Sequence, residues 1–300
     1  MINLFNKLVI FFLPIIPKFI VRMVAKPYVA GPTLEDGIRV VKELNSKGIS
    51  ATMDVLGESA RKLEECQEAI DDYFKVLDRI AADKLDANIS VKLTQLGLTL
   101  DREQCYQNIR KIVDKADRLG IFVRIDMEDS AVTSETIELF LRINDEFKRT
   151  GIVIQAYLRR SLADVVRLSA RKTNYRICKG IYIEPRKVAF KDKQTVNDNF
   201  GLLVDTAFGM GSYVGIATHD ERLYWKGLEL IHKHKLTTGQ YEYQMLLGVD
   251  EELRDIIVQA GHKLRVYVPF GKNWYAYCVR RLKENPMMAW YIVKAMFGLR

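Results

Sequence analysis

Eight times along the chain, a short stretch rich in β-branched and aromatic residues alternates with a longer stretch of helical periodicity. The strand-like stretches lie at 49–55, 88–93, 121–127, 152–158, 175–179, 213–218, 240–246 and 264–268. Helical stretches separate them at 59–83, 102–119, 134–149, 162–171, 196–208, 221–234 and 250–260. One more helix, at 33–47, precedes the first strand: Thr33-Leu34-Glu35-Asp36 reads as a capped start and Lys47-Gly48 as a basic last turn with a glycine stop. Gly151 reads as a stop of the same kind. Strands that alternate singly with helices pack as a sheet covered by those helices. A doubly wound open sheet is one solution. Eight units between residues 31 and 286 fit the closed (β/α)8 barrel better.

A chain of 300 residues with 48% apolar and 28% charged content can bury a large core, which excludes disordered and fibrous classes. Its 46 basic against 38 acidic residues give a net charge of +8. That charge is spread along the chain, without the clustered aromatic and basic stripe of a nucleic-acid binder, and suits anionic small molecules or an acidic membrane surface. Cys66, Cys105, Cys178 and Cys278 form no C-x-x-C pair and read as free thiols in a reducing compartment. Residues 1–30 form an apolar and basic helical extension, residues 31–286 the barrel, and residues 287–300 a tail. The apolar run at 8–16 is too short for a membrane span and is interrupted by Pro14, with Pro17 following. No small-residue cleavage site follows it, so a packing helix and a peripheral membrane contact both stay open.

In such barrels the chemistry gathers where the strands end. Those ends offer Asp54 and Glu58, Lys92, Asp126 with Glu128, Gln155 with Tyr157, Arg176 with Lys179, Thr218 with His219, Glu242 with Gln244, and Tyr267. Lys92 is costly to bury in an apolar strand unless it meets an anion. Asp126 can balance it, or Arg280 or Arg281. Schiff-base chemistry on Lys92 or Lys179 is one functional reading, and pairing with a substrate carboxylate is another. After the last strand, Tyr277, Arg280, Arg281 and Glu284 share one helix face at i, i+3, i+4 and i+7. Paired guanidinium forks suit a planar carboxylate or phosphate. Among the strand-end residues, His219 is the one histidine, which gives no metal triad, and no glycine-rich dinucleotide fingerprint follows a strand.

From about Ala30 to Asn285 the sequence resembles the proline dehydrogenase family of flavin-dependent barrels. The carriers are 52–58 (TMDVLGE), 90–93 (SVKL), 123–128 (VRIDME), 155–158 (QAYL), 176–180 (RICKG), 217–220 (ATHD), and Tyr267-Val268-Pro269 ahead of Tyr277-x-x-Arg280-Arg281-x-x-Glu284. In length the chain is similar to the monofunctional bacterial form, with no aldehyde dehydrogenase or DNA-binding segment attached. The resemblance implies FAD across the barrel mouth, with Gln155 at the flavin ring and Arg176 near its reactive N5. It implies cofactor contacts from Met127, Lys179, Gly180, Ile181, Thr218 and His219. Asp126 and Arg176 take the catalytic roles. Lys92, Arg280 and Arg281 hold the carboxylate of L-proline, Tyr267 covers the proline ring, and Glu58 is a gate that pairs with an arginine of the last helix. The product is 1-pyrroline-5-carboxylate, and the implied oxidant is a membrane quinone. That suits a cytoplasmic enzyme that touches the inner membrane surface peripherally through its apolar and basic termini. Cys178 and Ile181 depart from the valine and small residue usual at their positions. Two other classes remain: a Schiff-base aldolase, and an inactive barrel used for binding.

Overall fold

A computed structural model describes residues 27–275 and 277 of the chain. Helix α1 (Leu34–Asn45) leads into β1 (Ser50–Val55), α2 (Leu63–Ala82), β2 (Ala87–Val91), α3 (Arg102–Arg118) and β3 (Val123–Ile125). Then follow α4 (Thr133–Glu146), β4 (Thr150–Gln155), α5 (Ser161–Ser169), β5 (Asn174–Cys178) and α6 (Lys193–Gly209). The last are β6 (Val214–Ala217), α7 (Glu221–Lys233), β7 (Tyr241–Leu246), α8 (Glu251–Gln259) and β8 (Leu264–Phe270). The strands close in chain order into one barrel of parallel neighbours, with β8 against β1. The closed barrel expected from the sequence is the one found. Most of the expected extension (1–30), all of the expected tail (287–300), and Arg280 and Arg281 lie outside the described residues.

Local chemistry sets the helix starts. Thr33 and Asp36 close a reciprocal capping box on α1. Asp101, Asp192, Asp220 and Asp250 each accept a backbone N–H at the starts of α3, α6, α7 and α8. Two boundaries differ from the sequence reading. Helix α2 begins at Leu63 rather than near Ser59, because the chain after β1 first lies against the segment past β2, where Ala60 N–H donates to the Thr94 carbonyl. Helix α4 ends at Glu146, with Phe147 already extended, so β4 starts at Thr150 and Gly151 lies inside a strand.

The strands alternate strictly, with a period of two residues. Met53, Tyr175 and Tyr243 point outward to the helices: Met53 lies against Gly37 of α1, the Tyr175 hydroxyl bonds Ser169 and Val165 of α5, and that of Tyr243 bonds Tyr224 of α7. Their strand neighbours therefore point inward, and these are polar: Asp54, Arg176, Glu242 and Gln244. Chords across the barrel confirm it, since Arg176 on β5 reaches Ser90 on β2 and Gln244 on β7. Barrel interiors are ordinarily layers of branched aliphatic side chains. This one is a column of charges, and the apolar core is the shell between strands and helices.

A column of long polar side chains needs gaps in the wall. Gly151 pairs in register with Arg124 on β3 and with Asn174 on β5. With no side chain between them, the Arg124 guanidinium reaches across to Asn174, donating to its backbone oxygen at 2.7 Å and its side-chain oxygen at 2.6 Å. A Cβ on Gly151 would stand 2.4 Å from Arg124 Nη1 and 2.5 Å from the Asn174 oxygen. Gly151 is thus an opening in the wall, not a helix stop. Gly151→Ala is expected to destabilise the fold by about 1–3 kcal/mol, the scale of core overpacking. Denaturant unfolding reads this directly, and wild-type stability in the variant would show that the guanidinium can move aside freely.

Candidate active site

At the C-terminal end of the barrel a cavity of about 560 Å³ opens, lined by residues from β2 to β8. Lys92, Asp126, Met127, Gln155, Arg176, Lys179, Gly180, Ile181, Thr218, His219 and Tyr267, all singled out in the sequence, line this one space. Gln244, Leu246, Tyr182 and Tyr277 join them.

Its floor is one connected network. Lys92 Nζ donates to Asp54 Oδ1 at 2.6 Å and to the Tyr267 hydroxyl at 3.2 Å, and lies 3.5 Å from Asp126 Oδ2. Tyr267 donates to Asp126 Oδ2 at 3.0 Å. The other oxygen, Asp126 Oδ1, accepts from Ser90 at 2.7 Å and from Arg176 Nη1 at 2.8 Å. Tyr267 also lays its ring over the Arg176 guanidinium, 5.2 Å from its centroid. Lys92 therefore balances carboxylates of its own barrel, and its strand is polar on the inner face through Asn88 and Ser90.

Charge and burial compete here, and charge decides for the two central groups. Burial works against the Lys92 ammonium, but Asp54 and Asp126 hold it above the usual lysine range. Burial works against the Asp126 carboxylate too, yet Lys92, Arg176 and hydrogen bonds from Ser90 and Tyr267 keep it below the usual range. Asp54, fully enclosed, is raised by burial with Lys92 pulling the other way. Burial and the nearby Asp126 push the Tyr267 phenol far up, so it remains a proton donor.

The upper wall is built from loops. Gly180 has φ +101, a backbone region costly for other residues, and a Cβ there would sit 2.0 Å from the Tyr157 ring. Tyr157 thus packs behind Gly180 and does not face the cavity. Lys179 Nζ pairs with Asp220 Oδ2 at 2.6 Å, joining the loops after β5 and β6. Leu246 N–H donates to His219 Nε2 at 2.7 Å, which leaves the ring proton on Nδ1.

Several strand-end residues do other work. Glu128 is turned away, accepting from the Thr94 backbone N–H at 3.1 Å and from its hydroxyl at 2.5 Å. Glu242 is not at this mouth: it lies deep in the barrel toward the opposite end, beside Arg265 and Lys263. Glu58 is exposed on the loop after β1 and is not part of the cavity lining; its expected arginine partner lies outside the described residues. Ser90 was missed, although its place between inward Asn88 and Lys92 marks it as inward by alternation.

The sign of the pH dependence follows. A carboxylate depressed in the folded state adds stability above its unfolded value, near 3.8 for Asp126, and loses it as pH falls through the lower folded value. Lys92→Met removes the cation between Asp54 and Asp126, and breaking a buried pair costs on the order of 3–5 kcal/mol. Asp54, already raised, then rises further and Asp126 loses one of its two depressing cations, so the variant is expected to lose more stability than wild type as pH climbs above about 4. Urea midpoints across that range check it, and parallel pH profiles would overturn it.

The geometry can be set beside known proteins. The proline dehydrogenase family model matches residues 38–290. "Proline dehydrogenase 1" of Bacillus subtilis (strain 168) is 35% identical over 275 residues, covering 92% of this chain and 91% of that protein. "Proline dehydrogenase" of Deinococcus radiodurans is 35% identical over 277 residues, covering 91% and 89%. A crystal structure of proline utilization A from Bdellovibrio bacteriovorus, inactivated by N-propargylglycine, superposes with a TM-score of 0.81 at 27% identity. That match covers 87% of this chain and 32% of the other, so the chain spans about a third of that protein. Barrel, inward charges and sequence agree: this chain belongs to the proline dehydrogenase family.

Proposed function

We propose that this chain oxidises L-proline to 1-pyrroline-5-carboxylate with bound FAD. The observation that carries the proposal is the cationic and phenolic floor, Lys92, Arg176 and Tyr267 locked on Asp126, beneath a cavity at the C-terminal end of the barrel. The family is flavin-dependent in general. The residues present fit such a group: the wall combines Val153, Ile181, Met245 and Leu246 with the polar Gln155, Lys179, Thr218 and His219. Met127, Gln155, Lys179, Gly180, Ile181, Thr218 and His219 would hold the cofactor, and Arg176 would lie at its reacting edge. When bound, the flavin supplies the two-electron acceptor.

The protein's part is position and charge. Proline carries a carboxylate, a secondary amine and a small ring. Arg280 and Arg281 would hold the carboxylate, with Lys92 adding positive potential from the floor. Tyr267, its hydroxyl fixed between Lys92 and Asp126, would close over the ring and set the carbon next to nitrogen toward the cofactor. The amine must shed its proton before that carbon gives up hydride, and the surrounding cations disfavour the ammonium form. Arg176, anchored on the Asp126 carboxylate, would stabilise negative charge arriving at the cofactor. A Schiff-base lyase fits less well. It needs a neutral lysine, whereas Lys92 is held cationic and Lys179 is paired with Asp220.

The purified, flavin-loaded protein should show yellow flavin bands that bleach under nitrogen with L-proline and not with D-proline. Arg280→Met should raise the proline concentration for half-maximal bleaching by roughly 30-fold or more, as loss of a charge-assisted pair in a closed site implies. Bands indifferent to L-proline would sink the assignment.

The oxidant in this reading is a membrane quinone, reached from the cytoplasmic face. Among the described residues no helix is long and apolar enough to cross a membrane. The apolar 8–16 run with basic Lys18, Arg22 and Lys26 suits an interfacial position on anionic lipid. The intact enzyme is expected to float with anionic vesicles once proline has reduced it, and to stop doing so when residues 2–24 are deleted. If it stays in the lower fraction throughout, the membrane part of the reading fails and the oxidation part stands.

A further inference from the structure

Below the cavity floor the polar column continues through β7 to β8. Arg176 Nε donates to Gln244 Oε1 at 2.6 Å, and Gln244 Nε2 donates to Glu242 Oε1 at 2.6 Å. That same oxygen accepts from Arg265 Nε at 2.8 Å, and Arg265 Nη1 is anchored on the Ala51 backbone oxygen at 2.7 Å. All four side chains are buried, with Glu242 at 2% exposure.

The direction of this chain carries information. An amide has one accepting and one donating end, and the two are nearly alike in shape. Glu242 can only accept from Gln244, because its carboxylate is held ionised: burial opposes this, but Arg265 and the Gln244 bond outweigh it. The donating end of Gln244 must therefore face down, and its oxygen must face Arg176. With Nε on Gln244 and Nη1 on Asp126 and Ser90, no described residue bonds Nη2 of Arg176, whose side chain lines the cavity.

Reaching this arrangement requires a gap. Gly215 on β6 stands in register between Arg176 on β5 and Glu242 on β7. A Cβ there would lie 2.4 Å from Gln244 Nε2. Gln244 can cross β6 to Arg176 only because residue 215 has no side chain.

We infer that Glu242 and Gly215 are positioning residues for the reaction: together they fix the orientation of the Gln244 amide, and through it aim the Arg176 guanidinium at the reacting edge of the site. Neither touches the cavity. This rests on the proposed function only for what Arg176 acts upon.

Glu242→Gln replaces an acceptor-only carboxylate with an amide whose own NH2 can meet that of Gln244, which weakens the bond that holds the Gln244 side chain in place beneath Arg176. The rate of flavin reduction at saturating proline is then expected to fall on the order of 10- to 100-fold, the effect of losing a hydrogen bond to a charged group. The half-saturating proline concentration should change little, because the carboxylate ligands are untouched. The reduction potential of the bound flavin, measured by chemical titration without proline, should move to a more negative value as Arg176 loosens. Gly215→Ala should reproduce both effects with every charge retained, and it decides the matter if Glu242→Gln does not fold. Gly151→Ala, an equivalent obstruction on the Arg124 side, should cost stability and leave rate and potential as in wild type. Wild-type rate and potential in folded Gly215→Ala would overturn the inference, as would equal losses in Gly151→Ala. Flavin bands that never respond to proline would defeat the functional reading alone, because the titrated potential still reports on Arg176.

Discussion

The Asp126 carboxylate is the point on which the site depends. It binds Ser90 and Arg176 through one oxygen, and Tyr267 and Lys92 through the other. These partners come from β2, β5 and β8 or the residue just past β2, so a single anion ties together strands on opposite sides of the barrel. Dehydrating a carboxylate among apolar walls would cost several kcal/mol if it stood alone. Two cations and two hydroxyls make the burial tolerable, and the cations in turn are oriented by it. Stability and chemistry are therefore not separable at this position: what orients Arg176 and Tyr267 toward the cavity is what keeps the interior from being an uncompensated charge.

The fold was legible because period and spacing say the same thing. Eight strand-like stretches, each bounded by a helical one, leave few alternatives, and the capped start at Thr33 marks the first joint. The site was legible to a similar degree. Placing the strand ends at one mouth brings Lys92, Asp126, Gln155, Arg176, Thr218, His219 and Tyr267 into one space. Where the reading failed, it treated a strand as a line and not as two faces. Glu242 has the same orientation as Gln244 but lies one layer deeper, so counting it as a mouth residue mistook depth for direction. Glu128 and Tyr157 lie beyond their strands, where a loop turn redirects the side chain and alternation no longer applies. Gly151 failed for another reason: a glycine after a helical stretch looks like a stop, and only the three-dimensional register shows which guanidinium needs its empty side.

Burial alone does not distinguish the two faces of these strands, since nearly every strand residue is enclosed. The distinction is chemical. The outward set, including Ile89, Val91, Val123, Ile125, Ile152 and Ile154, packs under helices, where non-directional apolar contact suffices. The polar inward set is held by directed bonds, each of which needs a donor facing an acceptor. Substitutions should be tolerated differently on the two faces: a change of shape is absorbed more readily outside, and a change of hydrogen-bonding character is felt more strongly inside.

The charged column also bears on how the chain reaches its native state. Its chords join Arg176 to Ser90, Tyr267 to Asp126 and Arg265 to Ala51, pairs 86, 141 and 214 residues apart in sequence. An arc of β1 to β5 already joins Arg176 to Ser90 and Asp126, but it leaves the Asp126 and Ala51 ends of the other two chords without Tyr267 and Arg265 of β8. The helix-covered outer shell can grow strand by strand, but the interior completes its set of bonds only when β8 meets β1. Contacts that form after the rate-limiting step of folding act on how slowly a barrel opens more than on how fast it assembles. The interior that serves the reaction is thereby also a latch, set last and released first.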